Sequence, residues 1–486
     1  MSRLAPWRPS DLPHPPAFTL ANAVRVIGPG TILLGISLGA GDWLLGPAVV
    51  VKHGPSVLWI CTVSVILQAL LNTEMARYTL ATGEPITTGF MRTPPGPRFW
   101  ALSYSGLYLL QVGWPGWALA AGSALAALCL GRMPREEDRF AVLALGHVVF
   151  IASVVLAIMG RRMHRVIERA EWIMMAWTLL FLLALGVLLV PASTWSRVAA
   201  GFLAPLLGAS GPAPTDTDWL LLTAFAAYAG AGGLINATYT HWLRDKGFGM
   251  AGAVTTTPAW IGGQRIPLRR EAAVFPITDA NLAKWRQWWR YLRADLWYIW
   301  TVGCLLGMGL PALLAARFIA PGTDLGGPGA GAVLAAALGR GQGLLLWVLT
   351  LLTAAWLLFS AQLWITQGCA RSVADFLFTA GGGRRGDPAA GAARVYAATL
   401  AVFTLGGSVA IAIADPLDLI VIGGNIAAVN FVILSFHTLW TNRRLLPPEL
   451  RPPLWREVGV ALCGLFFAGL SAAGLWRAPV PPLGWF

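Results

Sequence analysis

The chain has 486 residues, 56% of them hydrophobic and 12% charged, with 35 Lys and Arg against 22 Asp and Glu and a formal net charge of +13. A soluble domain carries about a quarter charged residues, so a mean hydropathy of +0.64 leaves more apolar surface than a water-soluble fold of this length can hide. That excludes a soluble enzyme, and the cations have to be read against a bilayer rather than as a nucleic-acid surface.

Residues 1–20 are rich in proline and lack the apolar core of a signal peptide, so they read as a disordered cytoplasmic tail. A single transmembrane domain follows over 21–478. Apolar runs of about 20 residues, the length that crosses the hydrocarbon core, recur near 24–51, 55–81, 99–130, 139–159, 167–190, 217–243, 295–316, 343–373, 394–413, 417–440 and 455–476. They are solid blocks of Leu, Ala, Val and Ile, not the alternating strands of a membrane barrel. The expected fold is an all-α polytopic membrane protein of about 11 transmembrane helices.

With the N-terminus in the cytoplasm, the outer segments hold Lys52, Arg132, Arg135, Arg139, Arg197, Arg317, Arg340 and Arg477, and the cytoplasmic ones hold the other 27 of the 35 cations. This is a positive-inside pattern. It predicts a multi-pass protein of the cell (inner or plasma) membrane with a cytoplasmic N-terminus and lipid as its main partner. The five cysteines form no Cys-x-x-Cys pair and read as free buried thiols.

Span 1 carries glycines at 28, 30, 35, 39, 41 and 46 with Asp42 among them, and span 6 carries Gly230, Gly232 and Gly233 near its middle. Glycine weakens a helix by roughly 1 kcal/mol relative to alanine, so helix breaks are expected at Gly39–Gly41 and at Gly230–Gly233. The breaks fall at matching places in two five-span halves, about 24–190 and 217–440, with an extra helix at 455–476. Paired interruptions of this kind point to an inverted 5+5 repeat with a transport site at the bilayer midplane.

Asp42 is the carboxylate placed well inside a span. It reads either as an oxygen ligand or proton acceptor or as the N-cap of a half-helix starting at Trp43. Asn236 is an auxiliary ligand or a structural amide. His241 is a proton-relay or packing residue at the inner end of span 6. Gln111 in span 3, Gln362 in span 8 and Asn425 and Asn430 in span 10 could line a pathway or join helices. Glu74 with Arg77, and Glu168 with Arg169, read as interfacial ion pairs or gate elements. The stretch Asn281–Tyr291 mixes Trp with cations and reads as a helix lying in the membrane interface.

The opening Gly28-Pro29-Gly30, then Gly54, Leu58-Trp59 and Arg77 through Thr82-Gly83, resemble the first two helices of Nramp divalent-metal transporters. Arg165-Val166-Ile167-Glu168, Gln362 with Gly368, and Asn442-Arg443-Arg444-Leu445 resemble the family's helices 5, 8 and 10. The resemblance implies the LeuT-type fold, a small divalent cation as substrate, protons as a coupling ion, and no resident cofactor. It also implies that the carbonyls of Gly39 and Ala231 join Asp42 and Asn236 at the site.

The departures fall on the site itself. The family's Asp-Pro-Gly-Asn is Gly39-Ala40-Gly41-Asp42 here, its Met-Pro-His is Leu234-Ile235-Asn236, and only its second His is matched, by His241. The acid of its third helix has no counterpart. Loss of the soft thioether leaves an all-oxygen shell suited to Mg²⁺ or Mn²⁺ rather than soft metals. A transporter of an organic solute such as an amino acid, or a non-transporting sensor or scaffold, are the alternative readings.

Overall fold

The computed structural model describes residues 4–19, 21–22, 26, 28–159, 161–208, 217–253, 257–261, 264–268, 272–381 and 388–477. Nine helices among these residues are long and apolar enough to cross a membrane. Two more spans are each built from two half-helices, which makes eleven and a multi-pass membrane protein. Span 1 consists of 1a (Pro29–Ala40) and 1b (Leu45–His53). Span 6 consists of 6a (Trp219–Tyr228) and 6b (Leu234–Asp245). The span 6 break lies on its glycines, whereas in span 1 Gly39 stays inside 1a and the chain leaves the helix over residues 41–44, later than the Gly39–Gly41 expected. Gly232 and Gly233 take φ of +90° and +46°, a region open to glycine at little steric cost.

Span 2 is Trp59–Thr82, span 4 Arg139–Ile158, span 5 Arg161–Leu189 and span 8 Leu344–Gly381. Spans 9, 10 and 11 are Pro388–Ile413, Pro416–Leu445 and Leu454–Arg477. Span 3 is not one continuous helix as expected: it runs Pro97–Val112 and Gly116–Leu130. Pro115, which has no amide hydrogen to continue the ladder, separates the two pieces. The side chains of Glu168 and Arg169 lie outside the described residues.

Two expectations about the side that carries the N-terminus change. The Trp-rich helix does not stand apart as an interfacial anchor: Asp279–Arg293 continues through a π-helical stretch, Ala294–Trp300, into Thr301–Phe318, so span 7 is one helix of 40 residues. The N-terminal residues 4–19 are not a free tail. Arg8–Pro9 pair with Ala273–Val274 as a short parallel ladder. Proline leaves their carbonyls without helical partners, and span 7 supplies donors instead. Trp288 Nε1 donates to Pro13 O at 3.0 Å, Gln287 Nε2 to Pro16 O at 2.8 Å and the Tyr291 hydroxyl to Ala17 O at 2.9 Å. Leu12 is buried, and Phe18 meets Tyr291 edge-on. A second β-pair, Thr257–Ile261 with Gln264–Leu268, lies in the loop before span 7.

Candidate functional site

The breaks of spans 1 and 6 lie against each other. A Cβ at Gly41 would sit 2.2 Å from the carbonyl oxygen of Tyr228, the last residue of 6a, so only glycine allows this approach. Gly39 plays the same part toward span 8, where a Cβ would meet Ala361 Cβ at 2.3 Å and the Leu357 carbonyl at 2.9 Å. At Gly230 a Cβ would collide with Gln68 Oε1 at 2.3 Å and with the Trp300 ring at 2.8 Å.

The polar groups that the span 6 break exposes are met by two glutamines. Gln68 of span 2 donates to Ala226 O at 3.3 Å and Ala227 O at 3.2 Å, near the end of 6a, and its Oε1 accepts from Asn236 Nδ2 at 3.0 Å on 6b. Gln111 of span 3 donates to Gly232 O at 3.0 Å and accepts from the Leu234 amide at 3.0 Å, bridging the break to the first amide of 6b. Asn430 of span 10 donates to the same Gln111 oxygen at 2.8 Å. Buried backbone groups need such partners. Gln111 and Asn430 thus meet in one network around the break. Asn425 lies elsewhere, tying span 10 to the start of 6a through Leu220 O at 3.0 Å. Gln362 donates to Thr366 Oγ1 at 3.2 Å within span 8, and its Oε1 is buried without a partner.

Asp42 has no such support. Both its carboxylate oxygens are buried and without a hydrogen-bond partner. It does not cap 1b: that helix begins at Leu45, its N-cap is Leu44, and the Leu45 and Gly46 amides bond to Gly41 O at 3.0 and 3.1 Å. The backbone turn satisfies those amides itself and leaves the carboxylate unused. Leu34, Leu38 and Asp42 form a stripe with spacing four, and Gly303 and Gly307 of span 7 open a groove for it. A Cβ at Gly303 would meet Leu34 Cδ2 at 2.3 Å, and one at Gly307 would meet Leu38 Cδ2 at 2.2 Å and Asp42 Oδ2 at 2.3 Å. Asp42 therefore points between spans 1 and 7, within electrostatic reach of Cys61 and Cys304. Asn236 lies across the break, bonded to Gln68, with its Oδ1 buried and without a partner. Ala231 is fully buried inside the break.

Below the breaks, 6b and span 8 are joined by a column of polar contacts. Thr238 meets Tyr108 at 2.8 Å and Ser372 at 3.4 Å. His241 Nε2 lies 3.1 Å from Asp375 Oδ2, Arg244 donates to both Asp375 oxygens, and Asp245 pairs with Arg371. Span 1a is held from span 7: Asp295, in the π-helical stretch, accepts from Gly30 N at 2.7 Å, Gly28 N at 3.3 Å and the Tyr239 hydroxyl at 2.9 Å. A carboxylate at a helix N-terminus is favoured by the free amides and the helix dipole. At the opposite ends, Lys52 of 1b pairs with Asp218, the N-cap of 6a, at 2.7 Å.

Sequence reasoning missed Gln68, Asp295 and Trp300. Asp295 lies where the apolar run of span 7 starts, which gives a charge there the look of a helix end, and the helix begins at Asp279. The Gly303-x-x-x-Gly307 spacing was a readable sign of close packing. Of the cysteines, Cys129 is exposed and the other four are buried.

No protein-family model matches the sequence, and no curated protein matches it. Among solved structures, two mutants of the manganese transporter of Eremococcus coleocola superpose with TM-scores of 0.60 and 0.59 at 14% sequence identity. Each alignment covers 99% of this chain and 92% of that one. A nucleobase-cation-symport-1 family transporter, closed around bromovinylhydantoin, gives a TM-score of 0.46 at 14% identity over 93% of this chain and 91% of that one. The likeness to the manganese transporter spans nearly the whole chain, and with it the two broken helices and eleven spans identify the LeuT-type fold expected from the resemblance to Nramp transporters.

Proposed function

We propose that the protein is a secondary transporter that moves a small divalent cation, Mn²⁺ or Mg²⁺, by alternating access. The observation that carries this reading is the Asp42 carboxylate, buried at a helix break with neither oxygen hydrogen-bonded. A lone carboxylate at membrane depth costs several kcal/mol, and a bound cation would offset that cost. The proposed shell is Asp42, the carbonyls of Gly39 and Ala231, and the free Oδ1 of Asn236. Among the described residues no three His, Cys, Asp or Glu side chains gather where they could share a metal, so the shell is one carboxylate with neutral oxygens, which suits a hard ion. His241, with its ring nitrogen on Asp375, is the proposed proton-relay residue.

In this reading the contacts of Asp295 with 1a, and of Asp375 and Asp245 with their partners, hold the side of the N-terminus closed and part when the site opens toward it. Uptake of Mn²⁺ into proteoliposomes tests the proposal. Wild-type protein should carry the ion and Asp42→Ala should not, with both variants folded by thermal melting. Equal flux in both would remove Asp42 from the site. Flux blocked by amino acids but not by metals would move the substrate to the organic solutes.

A further inference from the structure

A cavity of about 720 Å³ opens at the inner ends of spans 2, 7 and 11, away from the two breaks. Five arginines line it: Arg77 of span 2, Arg286, Arg290 and Arg293 of span 7, and Arg456 of span 11, with Trp285 and Trp289 between them. Arg286, Arg290 and Arg293 follow the spacing i, i+4, i+7, so one face of the helix presents all three. All three are exposed, and none has a carboxylate partner among the described residues.

The other two arginines are held in place. Glu74, fully buried beneath the cavity, accepts from Arg77 Nε at 2.5 Å and from Arg456 Nη1 at 3.1 Å. Arg77 also donates to Leu450 O at 3.1 Å and lies 4.3 Å above the Trp289 ring. Glu74 pairs with two of the five guanidinium groups and no carboxylate lines the hollow, which leaves a concentrated positive charge around it. Guanidinium groups bind phosphate oxygens through paired donors.

The rim shows which phosphate. Leu454 and Trp455, beside Arg456 at the start of span 11, are 72% and 60% exposed. Exposed apolar residues beside a basic hollow at the end of a membrane helix belong at the boundary between headgroups and acyl chains. We propose that this cavity binds the phosphodiester headgroup of an anionic phospholipid from the leaflet on the N-terminal side, with the acyl chains lying along Leu454 and Trp455.

The test is a titration of detergent-purified full-length protein with phosphatidylglycerol, phosphatidylcholine or inorganic phosphate, followed by thermal melting and by lipid retention in native mass spectrometry. Phosphatidylglycerol should raise the melting temperature saturably and stay bound, and the other two should do neither. Arg286→Gln with Arg293→Gln removes two exposed charges that hold no carboxylate, so that variant should fold and lose affinity by about 30-fold. Equal stabilisation by phosphatidylcholine, equal stabilisation by free phosphate, or undiminished phosphatidylglycerol binding in the double variant would each overturn the assignment. The outcome is independent of what the transporter carries.

Discussion

Spans 1 and 6 break at matching places, but their polar groups fare differently. Around the span 6 break, Gln68 and Gln111 reach in from spans 2 and 3 and bond to Ala226 O, Ala227 O, Gly232 O and the Leu234 amide. In span 1 the backbone closes its own turn through Gly41 O, and Asp42 is left with two buried, unpartnered oxygens. One break is completed by the protein. The other leaves a buried carboxyl without a hydrogen bond. A polar residue at a break is thus ambiguous until its bonds are counted: Gln111 is occupied by structure, and Asp42 is not.

The largest effect that would sharpen this contrast comes from Gln111→Leu. It strands the Leu234 amide and Asn430 Nδ2, each costing about 1–3 kcal/mol, and leaves Gly232 O with the Ile235 amide alone, so the variant should lose several kcal/mol of stability and melt far below wild type. Asp42→Asn should melt at or above the wild-type temperature, since no bond is lost. A Gln111→Leu protein as stable as wild type would break the comparison.

A smaller effect is expected at Asp295, which joins 1a to 6b. Asp295→Asn weakens charge-assisted bonds to Gly28, Gly30 and Tyr239 worth about 2 kcal/mol. Hydrogen exchange in the first turns of 1a should speed up by about tenfold or more, with 6a unchanged. Equal exchange in both proteins would show that 1a is held by packing alone.

The smallest effect belongs to a control in the loop between spans 3 and 4. Asp138 is held below the ordinary carboxylate range by its bond to Arg132, with the Arg135 amide adding to it. A depressed carboxylate contributes stability that is present above its unfolded pKa and lost as pH falls through its folded one. Because the pair lies at the surface with its Arg132 partner open to solvent, Asp138→Asn should shift the melting temperature by about 1 °C or less at pH 7, and the difference should vanish in acid. A large shift would mean that this loop, not the breaks, limits stability.

Much of the architecture was legible in sequence. The apolar runs placed the eleven spans, and the glycine clusters pointed to the spans that break, because glycine at Gly41 and Gly230 is imposed by backbone and side-chain approach that no other residue allows; Gly39, expected in the break, stays helical. What stayed hidden depended on partners distant in the chain. Gln68 looks ordinary within span 2, and its role arises 158 residues away at Ala226. Asp295 looked like a helix-end charge until span 7 proved to begin sixteen residues earlier, at Asp279. The proline-rich start looked unstructured because it has no pattern of its own, and its order comes from donors on span 7. Asp42 was found because a carboxylate among glycines is conspicuous, but its lack of a cap contact could only be seen in three dimensions.

The most direct test of the central claim is isothermal calorimetry of Mn²⁺ and Mg²⁺ with purified protein, run beside Asp42→Ala. Saturable binding of at least one ion to wild type, weakened about 100-fold or more in the variant as expected for loss of the charged ligand, is the predicted result. Undiminished binding in Asp42→Ala, or no binding of either ion to the wild-type protein, would contradict it.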